Sequence, residues 1–521
     1  MHWLCRVAPV LVAAIAVLLS VQFANILSCD RPVESRSQSI HRSGLFPSSF
    51  VDGVGTNISR VLSKNAVAPQ RRPDVTAIVL NWSRLDNVVR IASLLCGESL
   101  FDTVAQVFIW NNSPEKLTYE TFASTGCPKA KLRLHNSPRN LYFYARFLAC
   151  AQAKTPFCFF QDDDYLVLPQ IIRTLGYGIA ESPQTAIHLL PAHEHLSSRL
   201  RTILTPSGVH SGFAWLGHGT MVSRKRASDF ISLVRHLNMP LEEVNLADNY
   251  FTILGNQIPE IWFDHGIELG GGQPFTVGQE GNERNLRHIR NACAYLDQLV
   301  FVTHDTSHPE SAVEALPFVQ ATTNVGQWFI NKSPCLDSLC LLETNIHLLG
   351  NDVPRGHAAT DLIAHEGQYI RAMDKEGVLN YTSHSLSRAV DGVPATAFRS
   401  SFLARRGEYV MLDSFSPVVS PDAVLELAFL TPRSNEKILQ KCVFQSSLDG
   451  DDWLSSPHQV MCRNTSMTTG TLLRNRLFAD ALVECSVRVA NGKARYFKAL
   501  LKSDMSVAWT ISEIWLREVS Q

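Results

Sequence analysis

Apolar β-type runs alternate with helical patterns along the first half of the chain, and this alternation leaves few folds open. The first run, Val75 to Leu80, is a continuous β-type run that is apolar apart from Thr76, which is typical of a strand covered on both faces of a sheet. A helical pattern follows at 85–95, and further strand patterns lie at 104–110 and 157–161, with the helical pattern "LYFYARFLACAQAK" between them. This order predicts an α/β fold with a parallel sheet and crossover helices.

Three polar clusters stand where predicted strands end: "NWSR" at 81–84, "WNNS" at 110–113 and "QDDD" at 161–164. Ligands bind beyond the carboxyl ends of the strands in such sheets, so three clusters at one edge predict a binding site. Each cluster alone also suits a solvated loop or a helix cap. The sequence has no G-x-G-x-x-G after the first strand and no G-x-x-x-x-G-K-[ST], which argues against a dinucleotide-binding Rossmann domain and a P-loop.

Asp162, Asp163 and Asp164 form the most charged of these clusters, and no basic residue stands beside them in the sequence. Adjacent carboxylates repel one another, so a divalent cation is the expected neutralising partner. In a D-x-D arrangement, Asp162 and Asp164 hold Mn²⁺ or Mg²⁺ while the open positions of the ion take the phosphates of a nucleotide-sugar. An acidic surface loop is the alternative interpretation.

The composition sets broad limits on the size and partners of the protein. A chain of 521 residues has room for about three domains, and a net charge of -1 provides no broad positive surface for nucleic acid. We therefore expect several domains and no nucleic-acid partner.

The N-terminal residues are predicted to anchor the chain in a membrane. Val7 to Leu27 is an apolar run close to the roughly 20 residues that cross a bilayer as a helix. We expect residues 1–28 to be the uncleaved signal anchor of a single-pass type II protein in the Golgi or ER membrane, with a lumenal body; a cleaved signal peptide is the alternative. Residues 29–73, rich in Ser, Arg and Pro, are predicted to be a flexible stem.

Sequons and cysteines agree with a lumenal location. The sequons lie at Asn57, Asn81, Asn111, Asn331, Asn380 and Asn464. Ten cysteines stand between Cys96 and Cys485, an even number compatible with disulfide bonds of unknown connectivity. For the close pair Cys335 and Cys340, a local disulfide or two free thiols are expected rather than a metal site.

The sequence pattern changes near residue 381. Short β-type runs such as "GEYVMLDSF" and "AVLELAFL" are separated by Gly, Pro, Asp and Ser, and they predict an antiparallel sandwich or jelly roll over 381–521. Residues 301–380 show no clear pattern and are predicted to be a connector with some helix.

Five motifs give the first half of the chain a family resemblance: "VTAIVLNWSR", "VAQVFIWNNSP", "FCFFQDDDYLVLPQ", "WLGHGTMVSRKRASDFI" and "NLADNYFTILGNQ". Their order over about 74–300 resembles the exostosin-type glycosyltransferase domain of family 64, which has a GT-A, Rossmann-like fold. The resemblance implies a retaining, Mn²⁺-dependent transfer of an N-acetylhexosamine or related sugar from a UDP-sugar donor. The implied acceptor is a glycan or glycoprotein of the secretory pathway.

The same resemblance implies roles for single residues around the donor. These are Arg84 at the diphosphate, Asn111 and Asn112 near the nucleotide, Asn140 and Arg146 at the donor, Asp162 and Asp163 at the ribose and at ordered water, and Asp164 as the direct metal ligand.

Asp248 matches a carboxylate that lies under the sugar in that family, where it stabilises positive charge at the anomeric carbon or orients the acceptor. A helix N-cap is the alternative, because "ADNYFTIL" is typical of a helix start. The family has two acids where this chain has Ala247 and Asp248, which leaves the acceptor open. Arg284 or His288, beyond a glycine-rich stretch, is expected to close over the diphosphate; a solvated basic helix is the alternative.

The C-terminal part resembles a discoidin-type, galactose-binding-like domain. "AVDGVPATAF" stands where that family has a DG-x-x-x-T-x-W pattern, with Phe398 in place of Trp, and Trp453 and Trp515 match its later strands. Such modules bind glycans or membranes, and a packing role is the alternative. For the whole chain, the expected function is glycosyl transfer; the rivals are an inactive glycan-binding protein on a transferase scaffold and a glycoside hydrolase.

Overall fold

The computed structural model describes residues 72–204, 210–271, 279–304, 317–320, 330–349, 362–418, 424–473, 476–489 and 493–519. The predicted anchor at 1–28, nearly all of the predicted stem, and residues 272–278 of the glycine-rich stretch lie outside the described residues. Within the described part of the chain, no helix combines the length and the apolar composition that a membrane crossing needs.

The α/β part begins at Val75. Its strands are β1 (Val75–Asn81), β2 (Val104–Asn111), β3 (Leu132–Asn136), β4 (Phe157–Gln161), β5 (Tyr165–Leu166), β6 (Ala186–Leu190), β7 (Ile203–Leu204), β8 (His210–Ser211), β9 (Thr220–Ser223), β10 (Glu260–Phe263) and β11 (Ile267–Glu268). Its helices are α1 (Leu85–Cys96), α2 (Tyr144–Ala151), α3 (Pro169–Glu181), α4 (Ala192–Leu200), α5 (Arg224–His236), α6 (Leu241–Asn245), α7 (Asp248–Leu254) and α8 (Gln279–His304).

One sheet runs through this part in the order β10-β6-β9-β4-β1-β2-β3. β1 pairs in parallel with β2 and β4, whereas β9 is antiparallel to both β4 and β6. The predicted α/β fold is confirmed, but the sheet is mixed where a parallel one was expected. Because β9 runs in the opposite direction, its first residue, Thr220, pairs with Phe160 near the carboxyl end of β4.

Helices cover both faces of this sheet, and the residues of β1 point to the two faces in turn. Ala77 and Val79 belong to the same buried cluster as Ile91 of α1, while Ile78 packs in the cluster that contains Phe147 of α2. All five side chains are at most 1% exposed. This burial on both faces explains why the first strand is almost entirely apolar between Val75 and Leu80.

The C-terminal part consists mostly of strands. They are β12 (Asn331–Pro334), β13 (Leu341–Thr344), β14 (Phe398–Leu403), β15 (Tyr409–Val418), β16 (Val424–Pro432), β17 (Cys442–Ser447), β18 (Leu454–Ser455), β19 (Met461–Leu473), β20 (Arg476–Arg488), β21 (Ala494–Leu501), β22 (Ala508–Ile511) and β23 (Glu513–Val519). Two helices accompany them, α9 (Leu362–Ser383), which is kinked at Asp374, and α10 (Glu436–Gln440).

The sheet of the α/β part continues into the C-terminal part. β12 pairs with β10, β13 pairs with β12, and β15 pairs with β13, so that 13 strands follow one another in the order β18-β17-β21-β15-β13-β12-β10-β6-β9-β4-β1-β2-β3. Residues 331–344 lie in the predicted connector, yet they contain two strands, β12 and β13, that join the two parts. All described residues belong to one compact unit.

The predicted β-sandwich is confirmed. A four-stranded sheet, β19-β20-β16-β23, shares a buried core with the extended end of the long sheet, where Phe429 of β16 packs in one cluster with Phe444 and Phe497. The discoidin-like motif is used for folding: the Asp391 carboxylate accepts hydrogen bonds from the Val393 amide and the Thr396 hydroxyl. Phe398 and Trp515 are buried.

Four disulfide bonds connect cysteines of the described residues: Cys96–Cys127, Cys150–Cys158, Cys335–Cys340 and Cys462–Cys485. The local pairing of Cys335 with Cys340 is the first of the two expected alternatives. Among the sequons, Asn81, Asn111 and Asn331 are buried, whereas Asn464 is exposed. Burial of the first three argues against their glycosylation in the folded protein.

Candidate active site

The three aspartates after β4 lie next to an arginine from the end of β1. Arg84 Nη1 is 2.7 Å from Asp163 Oδ1 and 3.1 Å from Asp164 Oδ2. β1 and β4 are parallel neighbours, so the residues beyond their carboxyl ends meet at one edge of the sheet. The basic partner that the local sequence lacks therefore comes from about eighty residues earlier in the chain.

A second arginine, Arg146 of α2, also contacts the aspartates of this cluster. Its Nη2 is 2.6 Å from Asp162 Oδ1 and 3.4 Å from Asp248 Oδ2. The side chain is almost completely buried, yet its Nε and Nη1 atoms have no hydrogen-bond partner among the described residues. Buried guanidinium N–H groups without a partner are uncommon, and they mark a place where a ligand can accept hydrogen bonds.

Asp248 is buried at the start of α7. Burial raises the pKa of its carboxyl to about 7, which Asp162 reinforces and Arg146 opposes. The residue does not cap the helix, because the N-cap position is Ala247 and no side chain caps it. The N-cap alternative is therefore not what the structure shows, and Asp248 Oδ1 has no partner among the described residues.

Burial and mutual repulsion together raise the pKa values of Asp163 and Asp164. Burial raises the pKa of Asp163 to about 6, with Arg84 opposing the shift and the charges of Asp162 and Asp164 adding to it. Burial and the charge of Asp162 also raise the pKa of Asp164. Additional positive charge at this edge would relieve both shifts.

The donor set of this triplet fits a divalent cation. Carboxylate oxygens are the ligands that Mg²⁺ and Mn²⁺ prefer, and Mg²⁺ sites are often completed by substrate phosphates. The side chains of Asp162 and Asp164 are 29% and 32% exposed, which leaves them accessible to an ion. Within the described residues, no three His, Cys, Asp or Glu side chains are arranged to hold a metal by themselves. Two aspartates completed by phosphates therefore fit better than an all-protein site.

Gly217 keeps the Asp162 carboxylate in place. Its carbonyl accepts a hydrogen bond from the Asp162 amide at 2.8 Å. A Cβ atom at position 217 would lie only 2.0 Å from Asp162 Oδ2, so any other residue would displace that carboxylate.

The side chain of Asn111, which was predicted to lie near the nucleotide, forms hydrogen bonds within the protein instead. The Asn111 amide donates to the Glu115 carbonyl and to Asn136 Oδ1, and its oxygen accepts from Asn81 and Ser113. Both ends of this side chain are satisfied within the protein, so it holds the loop after β2 and has no free group for a nucleotide.

Asn112 and Asn140 fix the loop before α2. Asn112 donates to the Tyr142 carbonyl and accepts from the Leu141 amide, while Asn140 Oδ1 accepts from the Tyr142 amide at 2.7 Å. These bonds hold Tyr142, which is partly exposed, at a φ of 46°, an uncommon conformation for a bulky residue. The two asparagines thus position a side chain that the sequence did not single out.

The two residues predicted to close over the diphosphate lie on α8. His288 is buried, and its Nδ1 is 2.7 Å from the hydroxyl of Tyr250 in α7. Burial lowers its pKa. This environment ties α8 to α7 and does not favour contact with a diphosphate. Arg284 is partly exposed on the same helix, and its predicted role stays a prediction.

A group of polar residues beyond Asp162 was not predicted from the sequence. Glu194 at the start of α4, His218 before β9, and Asp264 directly after β10 come together at the same edge of the sheet. Burial lowers the pKa of His218, but the charges of Glu194, Asp264 and Asp162 outweigh it and raise the pKa to about 9. The sequence contains a signal for two of these residues. Glu194 and Asp264, like the aspartate triplet, are polar residues that follow an apolar strand.

The segment 264–271 passes across the front of this edge. Its strand β11 pairs with β5, the Leu269 amide donates to the Asp164 carbonyl, and the Gly271 carbonyl accepts from Arg84 Nε. The segment thereby links Asp264 on one side of the aspartates with Arg84 on the other.

Comparisons with known proteins give no family assignment, but many solved structures are similar to parts of the chain. No family model matches the sequence, and no curated protein matches it. A mannosyltransferase from Pyrobaculum calidifontis, in complex with GDP-Man and Mn²⁺, is similar over 44% of this chain and 66% of its own, with 14% identity and a TM-score of 0.32. GalNAc-T7 with UDP, GalNAc and Mn²⁺ is similar over 48% of this chain and 53% of its own, with 12% identity and a TM-score of 0.27.

The third structure, CBM32-1 of a family 31 glycoside hydrolase from Clostridium perfringens, is similar over 26% of this chain and 86% of its own, with 20% identity and a TM-score of 0.19. The chain thus spans about two thirds of the first transferase and about half of the second. The exostosin and discoidin resemblances remain predictions from sequence motifs.

Proposed function

We propose that this chain is a metal-dependent glycosyltransferase that moves a sugar from a UDP-sugar to an acceptor. One observation carries the proposal: four carboxylates and two arginines meet at the carboxyl edge of an α/β sheet, and buried atoms of Arg146 and Asp248 lack partners among the described residues. Ligands of such sheets bind at this edge. A ligand that satisfies buried polar atoms removes the free-energy cost of leaving them without a partner.

The arginines and aspartates divide the binding of the donor between them. Asp162 and Asp164 hold the divalent cation, which supplies positive charge for the diphosphate when it is bound. Arg84 stands beside Asp164 and presents N–H groups that pair well with phosphate oxygens. Arg146 fixes Asp162 and Asp248 and keeps two N–H groups for the donor.

Asp248 is the proposed catalytic residue. The reaction breaks the bond between the anomeric carbon and the diphosphate oxygen, and the diphosphate leaves with the electron pair. The acceptor oxygen forms the new bond to the anomeric carbon and passes its proton to the departing diphosphate. Positive charge develops on the sugar between these events, and a buried carboxylate next to it stabilises that charge.

The finer features of the proposal rest on the sequence. The motifs at 74–300 support an N-acetylhexosamine donor, retention of configuration and a glycan or glycoprotein acceptor. The apolar run from Val7 to Leu27 supports a signal anchor in the Golgi or ER membrane, with the catalytic body in the lumen.

A donor screen tests the proposal. The purified full chain is incubated with a panel of UDP-sugars, with and without Mn²⁺, and UDP release is measured. We expect release from at least one donor only when metal is present, and a loss of about a hundredfold or more in Asp248→Asn, the size of effect seen when one group that stabilises transition-state charge is removed.

Asp229→Asn is the matched control for this screen. Asp229 lies on α5 and pairs with Lys225, away from the cluster, so its variant should retain wild-type release. If the wild-type chain neither binds UDP with Mn²⁺ nor releases UDP from any donor, the proposed function is wrong. Binding without release would favour the glycan-binding alternative.

A further inference from the structure

Glu194, His218 and Asp264 form a cluster of side chains, here called the acid–imidazole pocket, on the side of β4 where β9, β6 and β10 lie. Each residue comes from a different element: the start of α4, the loop before β9 and the end of β10. Three distant parts of the chain therefore place chemically active side chains at one point. Nothing in the donor site proposed above uses them.

The geometry of the pocket is defined by His218. Its Nε2 is 3.0 Å from Glu194 Oε2, and its ring meets the ring of Tyr165 edge-on with centroids 4.4 Å apart. The side chains of His218 and Glu194 are 24% and 23% exposed, so the pocket is open to solvent on one side.

Two buried groups of this cluster have polar atoms without a hydrogen bond of good geometry among the described residues. Asp264 is more than nine-tenths buried, and neither of its carboxylate oxygens accepts a hydrogen bond of good geometry from the described residues. The Tyr165 hydroxyl and two backbone amides lie close enough to affect its charge without meeting that geometry. His218 Nδ1 is also buried without a partner. Buried polar atoms in native proteins nearly always have partners, so three such atoms together point to a missing ligand.

Two other histidines of the same sheet, the buried His188 and the partly buried His265, show what a structural role looks like here. His188 Nδ1 lies 3.0 Å from the Trp215 carbonyl, and His265 Nε2 lies 3.0 Å from the Pro334 carbonyl. In both, the ring bonds to backbone and stands beside no carboxylate within ion-pair distance among the described residues. In the acid–imidazole pocket, by contrast, the ring of His218 lies beside the Glu194 carboxylate, and its Nδ1 has no hydrogen-bond partner among the described residues.

The position of the pocket indicates which ligand it takes. In the sheet order, β1 and β2 lie on one side of β4, and β9, β6 and β10 lie on the other. Arg84, at the end of β1, marks the diphosphate side, whereas the pocket is attached to β6, β9 and β10. In a nucleotide-sugar whose diphosphate lies at Arg84 and the aspartates, the sugar follows the second phosphate, and the acid–imidazole pocket is the polar cluster on the other side of β4 from Arg84.

We infer that the acid–imidazole pocket binds hydroxyl groups of the transferred sugar ring and that His218 and Asp264 determine which sugar is accepted. The inference rests on the proposed function, because it needs the diphosphate to bind at Asp162 and Asp164. Sugar hydroxyls donate to the carboxylate oxygens of Asp264, and the ring nitrogen of His218 bonds to a neighbouring hydroxyl. Acceptor hydroxyls have the same chemistry, and the experiment separates the two sources by leaving the acceptor out.

The test compares the binding of UDP with that of the UDP-sugars. Calorimetric titrations with Mn²⁺ and no acceptor are made on the full chain, as wild type, His218→Gln and Asp264→Asn. We expect UDP affinity to stay within about twofold, while the affinity of the preferred UDP-sugar falls about tenfold, the change produced by the loss of one or two good hydrogen bonds. In the same variants, the difference in affinity between the preferred UDP-sugar and the other UDP-sugars should become smaller.

Glu268→Gln serves as the matched control, because Glu268 is exposed on β11, a few residues from Asp264. It should bind UDP and UDP-sugars like the wild type. Thermal melting of each variant shows whether the fold is kept, and the more conservative Tyr165→Phe provides a second probe of the pocket if Asp264→Asn does not fold.

Two outcomes overturn the inference. If UDP and UDP-sugar affinities fall together, the pocket acts on the aspartates and not on the sugar. If neither changes, the pocket serves the acceptor or the fold. A wild-type chain that fails to bind UDP at all is a different result, because it refutes the proposed function itself.

Discussion

Two ionic clusters of this protein differ in how completely their groups are paired. At the junction of the α/β part with the sandwich, Arg495 of β21 donates from Nε and Nη2 to the two oxygens of Asp413 and pairs with Glu181 of α3. Asp413 Oδ1 also accepts from the Phe415 amide. In the candidate active site, Arg146 and Asp248 are more deeply buried than Arg495, yet both retain atoms without partners among the described residues.

The difference teaches how to distinguish a structural cluster from a binding one. A buried ion pair offsets its desolvation cost only when further hydrogen bonds satisfy its remaining atoms. The junction cluster meets this condition within the chain. The site cluster has four carboxylates for two arginines, and it meets the condition only when a cation and a phosphate-bearing ligand are added.

Removing the whole junction should have the largest effect. A chain that ends at residue 380 loses β15, the partner of β13, and leaves Glu181 without Arg495. The cut also falls within α9. We expect this fragment to aggregate or to lack a cooperative unfolding transition, because it exposes an unpaired strand edge and part of the core. Circular dichroism melting and gel filtration check this, and a monomeric fragment that melts cooperatively would show that the continuous sheet is dispensable.

Asp164→Asn should affect the site cluster without affecting the fold. It removes one metal ligand, so we expect UDP release to fall by about a hundredfold or more, as when a single charge-stabilising group is lost. The melting temperature should stay the same or rise slightly, since one of three adjacent like charges is removed. Treatment with EDTA should abolish activity in the wild type. Full activity in EDTA would refute the metal site.

Arg495→Gln should have the opposite pattern. It leaves the buried Asp413 carboxylate without its cation, and breaking a buried pair in this way costs about 3–5 kcal/mol of unfolding free energy. The UDP affinity of the folded fraction should not change. Urea denaturation and UDP titration measure the two quantities. Lys225→Gln is the control, because its pair with Asp229 has a lysine that is 76% exposed and should contribute about 0.5 kcal/mol or less.

The smallest predicted effect concerns pH and the partly buried His265. Burial lowers its pKa to about 4, with Asp391 opposing and Arg388 adding to the shift. The unfolded chain binds a proton near pH 6.5 and the folded chain does not, so stability falls as the pH drops from about 6.5 to about 4, by up to about 3 kcal/mol. Urea denaturation at pH 7 and pH 5 should show a smaller loss in His265→Gln than in the wild type. An equal loss in both would assign the effect to other groups.

Local patterns in the sequence were sufficient for the α/β fold, the sandwich and the aspartate triplet. The run Val75 to Leu80 and the aromatic strand before Asp162 each carry their own periodicity, and periodicity predicts strands and helices well. The carboxyl-edge rule then placed the triplet next to Arg84 correctly, although the ion pair spans 79 positions of the chain.

What the sequence missed depends on pairing between distant segments. The join between Leu341 of β13 and Asp413 of β15 has no local signal, so the sequence of β12 and β13 predicts only a connector. Asn111 has the right residue type for a nucleotide contact, and only the structure shows that its side-chain amide already donates hydrogen bonds to other residues of the protein. His218 has no signal in the local sequence, because its carboxylate neighbours Glu194 and Asp264 come from other parts of the chain.

The continuous sheet has a consequence for the order in which the protein forms during synthesis. β13 is complete at Thr344, but its partner β15 does not end until Val418, and β21, which covers the other edge of β15, ends at Leu501. At translation rates of about 5–20 residues per second, the growing chain carries an open strand edge for a period on the order of seconds to tens of seconds. Such edges bind other unfinished chains. The α/β part is therefore expected to need a chaperone, or slow local folding, until the last strands have been made.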